Sequence, residues 1–259
     1  MKNFRLSILL LFLALALLPT EAPCESRDTL RLHFKPPESV LFTGNSLTFY
    51  NNSIYTHLRR LLVAEDPAAR EKILLKSMTI SGAVLAEHRD GLQQMLESRS
   101  WDVIVLQGHS REAIDPAMLP GFRTALEDSS GRIRSSGSEP VLFMTWAYSD
   151  RPQMTAELNS IYSRLGKEFD MMVIPVGLAF EAAGVKLTGV RLHTDDTVHP
   201  SLAGTYLAAA VFYCALYGKS PEKLGYDAGL DAELARSLRQ VAWQTVLDYN
   251  SQATEPDTP

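Results

Sequence analysis

The run Val103-Ile104-Val105-Leu106 places four apolar residues in succession with no polar position between them. A strand with one wet face alternates. A strand without alternation is buried on both faces and needs a layer of helices on each side. Comparable short runs stand at Val40-Leu41-Phe42-Thr43, from Ile73-Leu74-Leu75 to about Ile80, at Val141-Leu142-Phe143-Met144 and at Met171-Met172-Val173-Ile174. Between them apolar residues recur at helical spacing, as in Ile54, Leu58, Leu61 and Leu62, or Met154, Leu158, Ile161, Tyr162 and Leu165. Helices are expected over about 84–96, 119–134, 202–216 and 232–247. Strands alternating with helices predict an α/β domain with a central five-stranded parallel sheet between two helical layers. No internal repeat and no Pro- or Gly-rich linker divides residues 38–249, which read as one domain.

The ends read differently. Lys2 and Arg5 precede an apolar stretch, Leu6 to Leu18, broken only by Ser7, and Pro19-Thr20-Glu21-Ala22 follows. This is the layout of a signal peptide over residues 1–22. The stretch is shorter than the roughly 20 residues that span a bilayer. An uncleaved anchor, or a lipid on Cys24, is the alternative. Export predicts a secreted or periplasmic protein. Residues 23–37 are polar, contain Pro36-Pro37 and read as a leader. Residues 250–259 are polar and are expected to be a disordered tail. The formal net charge of −5, without basic clusters, argues against nucleic acid as a partner. The two cysteines, Cys24 and Cys214, make neither a disulfide framework nor a metal site, and Cys214 lies in an apolar run as a core thiol.

In an open parallel sheet the chemistry sits beyond the carboxyl ends of the strands. After the first strand stands Gly44-Asn45-Ser46-Leu47-Thr48, which puts a serine on a strand-to-helix turn. A serine nucleophile needs a base, and the base needs an orienting acid. Asp195-Asp196-Thr197-Val198-His199-Pro200-Ser201 can supply both. A loop can fold the spacing of Asp196 and His199 so that one imidazole nitrogen meets the carboxylate and the other faces Ser46. Asp195 is the alternative orienter. Pro200 disfavours helix at His199, and Ser201 can cap the next helix. Trp146 and Tyr148 follow the fourth strand and are candidate pocket walls, with core packing as the other reading. His88, Arg191 and His193 read as solvated surface near the rim.

The two blocks together resemble the SGNH (GDSL-type) hydrolase superfamily, which carries Gly-Asp-Ser-Leu near its start and Asp-x-x-His near its end. The resemblance spans nearly the whole mature chain in block order. It implies a flavodoxin-like three-layer sandwich, with Ser46 as nucleophile, His199 as base and Asp196 as orienter. It also implies an oxyanion hole, with Ser46 itself and Gly82 as backbone donors. The family's third block is Gly-x-Asn-Asp, whereas this chain reads Gln107-Gly108-His109-Ser110. Gln107 is expected to be the third donor, with His109 in the pocket; His109 as the donor is the alternative. Asn45 stands for the family's Asp and is expected to hold the turn beside the pocket. The resemblance implies an esterase acting on short-chain, chiefly acetyl, esters of small molecules or glycans, and it requires no cofactor or metal. Acyl transfer, a lipase or thioesterase, and a non-catalytic carbohydrate-binding or scaffold domain are the other readings. The chain has no Gly-x-Ser-x-Gly elbow, no phosphate-binding glycine loop and no His-Glu-x-x-His.

Overall fold

The computed structural model describes residues 34–254. The segment read as a signal peptide, Cys24 and most of the leader therefore lie outside the described residues, as do residues 255–259. Strand β1 (Ser39–Gly44) leads into a one-turn helix α1 (Ser46–Phe49), then α2 (Ile54–Glu65) and a short α3 (Ala69–Lys72). Strand β2 (Leu74–Thr79) and a 3-10 turn (Leu85–His88) precede α4 (Arg89–Ser98). There follow β3 (Val103–Leu106), α5 (Leu119–Ser135), β4 (Glu139–Phe143), α6 (Met154–Glu168) and β5 (Met172–Ile174). Three helices complete the domain: α7 (Val176–Lys186), α8 (Leu202–Tyr217) and α9 (Ala232–Thr254).

The sheet is parallel throughout, in the order β2-β1-β3-β4-β5. Successive strand residues point to opposite faces, and each face owns its own core. Val40, Phe42, Val103, Val105, Val141 and Phe143 pack on one side against α2, α7, α8 and α9. Leu41, Ile104, Leu106 and Leu142 pack on the other against α4, α5 and α6. This is the expected three-layer α/β/α sandwich, and the apolar strand runs are apolar because neither face meets water.

Helix α8 is buried around its whole circumference. A helix apolar on all sides belongs inside, and this one lies beneath α2, α7 and α9. The Ser201 hydroxyl accepts from the Gly204 N–H at 3.2 Å to start it, and Gly218 ends it in the left-handed conformation (φ 66°). Cys214 is a fully buried free thiol on this helix, and burial raises its pKa.

Two departures from the sequence reading concern the helices around the sheet. Helix α7 was not expected. Its sequence, VGLAFEAAGVK, carries two glycines and little contrast between faces, so the helical period is hidden. Helix α9 runs to Thr254, through residues assigned to a disordered tail. Just before those residues, the Tyr249 hydroxyl bonds the Ser163 hydroxyl on α6 at 2.9 Å and ties this part of the helix to the body. Among the described residues no helix is long and apolar enough to cross a membrane.

Candidate active site

Ser46 is the first residue of α1, immediately beyond β1. His199 Nε2 lies 2.8 Å from Ser46 Oγ, and His199 Nδ1 lies 2.5 Å from Asp196 Oδ2. The three side chains form one line from carboxylate through imidazole to hydroxyl. The carboxylate can only accept, so Nδ1 carries the proton and Nε2 is left to accept from the serine.

The loop that carries Asp196 and His199 is a small closed hairpin. Thr194 N–H donates to His199 O at 2.8 Å and Ser201 N–H to Leu192 O at 2.9 Å, with Thr197 in the left-handed conformation (φ 68°) at its tip. Asp196 Oδ1 accepts from Val198 N–H (2.9 Å), His199 N–H (2.8 Å) and the Thr194 hydroxyl (2.8 Å). Desolvation opposes ionisation of this carboxyl. The bonds from His199, Val198 and Thr194 outweigh it and hold the pKa far below the usual carboxylate range. Asp195, the alternative orienter, points away: its side chain is 95% exposed and pairs with Arg191.

A second segment holds His199 from behind. The Tyr50 ring stacks on the His199 ring, with centroids 4.2 Å apart and planes 11° from parallel. Asn51 Nδ2 donates to Pro200 O (2.8 Å) and to the Thr205 hydroxyl (2.9 Å). Asn51, Asn52 and Ser53 are all left-handed, with φ of 48°, 73° and 70°. Three such residues in a row persist only where the surroundings impose them. His57 Nε2 donates to Asn51 O at 2.8 Å, and its Nδ1 accepts from the Tyr226 hydroxyl at 2.8 Å. Burial lowers the His57 pKa, which favours this neutral form. Sequence reading missed this brace because only its contacts distinguish Tyr50-Asn51-Asn52-Ser53 from an ordinary polar loop.

Gln107 is not the crevice donor that the sequence suggested. It is fully buried, and its amide is spent on the Ser46 turn. Oε1 accepts from Asn45 N–H (3.0 Å) and the Thr48 hydroxyl (2.8 Å). Nε2 donates to Asn45 Oδ1 (2.9 Å) and to the Gly108 carbonyl. Both donors and both lone pairs of the amide are thereby used. Gly44 leaves the room for this clamp, since a Cβ there would strike Gln107 Oε1 and the Thr48 hydroxyl. Gln107→Ala leaves the Asn45 N–H without its partner inside the core and also strips partners from Thr48 and Gly108. At about 1–3 kcal/mol for each buried group left unpaired, at least about 3 kcal/mol of stability is expected to be lost, measurable by urea unfolding.

Asn45 belongs to the same clamp and does not face the pocket. It is 2% exposed; its Oδ1 caps α1 through Leu47 N–H (3.1 Å), and its Nδ2 donates to Ala83 O (3.0 Å). That last bond ties the Ser46 turn to the turn after β2. There Ala83 N–H donates to Ile80 O, and Gly82, exposed and left-handed (φ 70°), keeps its N–H out of the turn's own bond. His88, expected at the surface, is buried with Nε2 2.7 Å from Gly44 O.

His109 is half-buried beside this turn, and burial, then the Arg111 charge, lowers its pKa. Its backbone N–H donates to Glu112 Oε2 at 2.7 Å, and the same oxygen accepts from Leu85 N–H at 3.1 Å. Glu112 is 2% exposed. Burial raises its pKa against these two bonds, with the Glu87 charge adding to the rise.

Trp146 is a core residue and not a pocket wall. It is 1% exposed, stacks on Phe180 at 4.3 Å, and its Nε1–H donates to Val198 O at 3.0 Å. Tyr148 is half-buried, bonds the Ser110 hydroxyl at 2.8 Å, and lines a cleft of about 590 Å³ next to the Asp196 loop. His193 also lines this cleft and joins the loops around it through Nε2–H to Ala147 O at 3.0 Å. Burial lowers the His193 pKa, against the Ala147 bond and the charges of Asp196 and Asp150.

No protein-family model and no curated protein matches the sequence. Solved structures do resemble the fold. A protein assigned to the SGNH hydrolases of Slackia heliotrinireducens superposes with a TM-score of 0.57 at 24% identity, over 68% of this chain and 97% of that one. A DUF4886 family protein from Bacteroides uniformis gives 0.64 at 19%, over 80% and 94%. A single-residue variant of an acetyl xylan esterase from Geobacillus stearothermophilus gives 0.57 at 17%, over 72% and 97%. The sheet order, the two helical layers and these likenesses together identify the chain's fold as the three-layer α/β/α fold of the SGNH hydrolases.

Proposed function

We propose that the chain is a serine esterase acting on short-chain esters, with Ser46 as nucleophile, His199 as base and Asp196 as orienter. The observation that carries this is the unbroken line from Asp196 Oδ2 through His199 to Ser46 Oγ. Ser46 Oγ attacks the ester carbonyl carbon while His199 Nε2 takes the hydroxyl proton. The carbonyl π electrons move to oxygen, giving a tetrahedral oxyanion. The carbon–oxygen bond to the alcohol then breaks, and His199 returns the proton to the departing alkoxide. Water attacks the acyl group now on Ser46, gives its proton to His199, and the acid leaves as Ser46 regains its hydrogen.

The oxyanion falls to the Ser46 and Gly82 backbone N–H groups. The first supports itself as one of the unpaired donors of a helix N-terminus. With Gln107 committed to the turn, His109 is the side chain left at the third block for the remaining donor. The tetrahedral carbon forms against an imidazole already held by Asp196 on one side and Tyr50 on another, so little reorganisation is needed. The chemistry is complete with these side chains and uses no metal or organic cofactor. A non-catalytic scaffold would have no use for a serine, histidine and aspartate held in register from opposite ends of the chain.

Acetyl xylan esterases among the similar structures support a small acyl group, and the signal-peptide pattern of residues 1–22 supports an exported enzyme. The test is a panel of 4-nitrophenyl esters. We expect kcat/KM to be highest for acetate and to fall at least about tenfold, or about 1.4 kcal/mol, by decanoate. A maximum at decanoate would replace the acetyl reading with a lipase or thioesterase.

A further inference from the structure

We propose that Glu112 is a positioning residue of the oxyanion hole: its buried carboxylate fixes the Gly82 turn and the His109 turn relative to each other and to Ser46. The proposal rests on the esterase reading of Ser46, with Gly82 and His109 as donors. A donor is effective only at about 2.7–3.1 Å from the developing charge. Donors carried on three separate turns therefore act together only if the turns share one fixed geometry.

Hydrogen bonds join the three turns into a closed triangle. Gln107 Nε2 donates to Asn45 Oδ1 at 2.9 Å, which joins the segment after β3 to the Ser46 turn. Asn45 Nδ2 donates to Ala83 O at 3.0 Å, which joins the Ser46 turn to the Gly82 turn. Glu112 closes the third side. Its Oε2 accepts from His109 N–H at 2.7 Å and from Leu85 N–H at 3.1 Å, and its Oε1 accepts from Leu85 N–H at 3.3 Å. Glu112 N–H in turn donates to His109 O at 3.0 Å, so both backbone groups of His109 are held by this one residue.

A carboxylate is a costly side chain at such a position. Glu112 is 2% exposed, and burying a carboxylate is unfavourable unless hydrogen bonds offset it. The bonds it accepts all come from backbone N–H groups of the two turns. A charged acceptor holds an N–H roughly twice as strongly as a neutral one, so the bridge is stronger than an uncharged side chain would make. Gly108 keeps the room for it, since a Cβ there would stand 2.8 Å from Glu112 Oε2 and 2.6 Å from the Phe122 ring. The same turn orients the His109 ring. Arg111 N–H donates to His109 Nδ1 at 3.4 Å, which leaves the ring proton on Nε2 as a donor for an oxyanion.

The test compares wild type, Glu112→Ala and Glu112→Gln on 4-nitrophenyl acetate. Active sites are counted by the burst of 4-nitrophenol released from diethyl 4-nitrophenyl phosphate. Glu112→Ala is expected to lower kcat per titrated site about 100-fold, the scale of losing one oxyanion donor. KM is expected to stay unchanged, because the interaction is made only in the transition state. Glu112→Gln keeps a carbonyl oxygen for the His109 and Leu85 N–H groups and is expected to recover most of that loss. If the alanine variant does not fold, Glu112→Asp decides. It keeps a carboxylate in the core but is a methylene shorter and no longer spans both turns, so kcat is expected to fall at least about tenfold through misplacement. Wild-type kcat per site in folded Glu112→Ala or Glu112→Asp would overturn the proposal, as would a loss carried by KM or by the number of titratable sites alone. Hydrolysis that persisted in Ser46→Ala would overturn the esterase reading instead.

Discussion

Ser46→Ala is expected to lower kcat on 4-nitrophenyl acetate by about 10⁶-fold, the scale seen when a triad nucleophile is removed. Among the described residues, the one side-chain hydrogen bond of Ser46 is to His199. Alanine also keeps the helical start that Asn45 caps through Leu47 N–H. The fold is therefore expected to survive, with a melting temperature within a few degrees of wild type. The loss should appear in turnover and not in folded fraction, so circular dichroism beside the rate measurement separates the two. Retention of more than about 1% of wild-type kcat in the folded variant would mean that another group attacks the ester.

Asp196→Asn is expected to lower kcat by about 10⁴-fold with the loop still closed. The asparagine Oδ1 can keep the bonds from Val198 N–H, His199 N–H and the Thr194 hydroxyl. Its Nδ2–H₂ would then face His199 Nδ1, which must become an acceptor. The proton moves to Nε2, and the imidazole can no longer take the serine's proton. The same substitution changes the pH dependence of stability. The folded-state pKa of Asp196 is depressed. Its ionised carboxylate therefore contributes stability above the unfolded value near pH 3.9, and that contribution is lost as pH falls toward the folded pKa. Wild type should lose stability on acidification through that window, and Asp196→Asn should lose less. Parallel acid-unfolding curves for the two proteins would contradict the account of this carboxyl.

The strands and most helices were legible because their patterns come from burial. Val103-Ile104-Val105-Leu106 must be apolar on both faces wherever it sits in such a sheet, and 154–165 must be apolar on one. Helix α7 was not legible, since its exposed face carries Gly184 and Val185 and so shows no polar stripe to reveal its period. That Ser46, Asp196 and His199 meet could be read from their order and spacing because the proposed reaction dictates the residue types. Gln107, Asn45 and Trp146 were placed in the crevice because they follow strands, yet each turns inward. The sequence shows that a polar side chain stands at a strand end. It does not show whether water or a neighbouring turn meets it, and here Thr48, Ala83 and Val198 do. Tyr50 and Asn51 carried no signal at all, because their contacts are to Pro200, Thr205 and the His199 ring, about 150 residues further along the chain.

The most direct test of the nucleophile is covalent capture. The mature protein would be treated with diethyl 4-nitrophenyl phosphate, which transfers a diethylphosphoryl group to an activated serine and releases 4-nitrophenol. Digestion and mass spectrometry then locate the group. One diethylphosphoryl group per chain on Ser46, with loss of esterase activity in step and no labelling of His199→Ala, is the predicted result. Loss of activity with Ser46 unmodified, or labelling that persists without His199, would contradict the Ser46–His199–Asp196 mechanism.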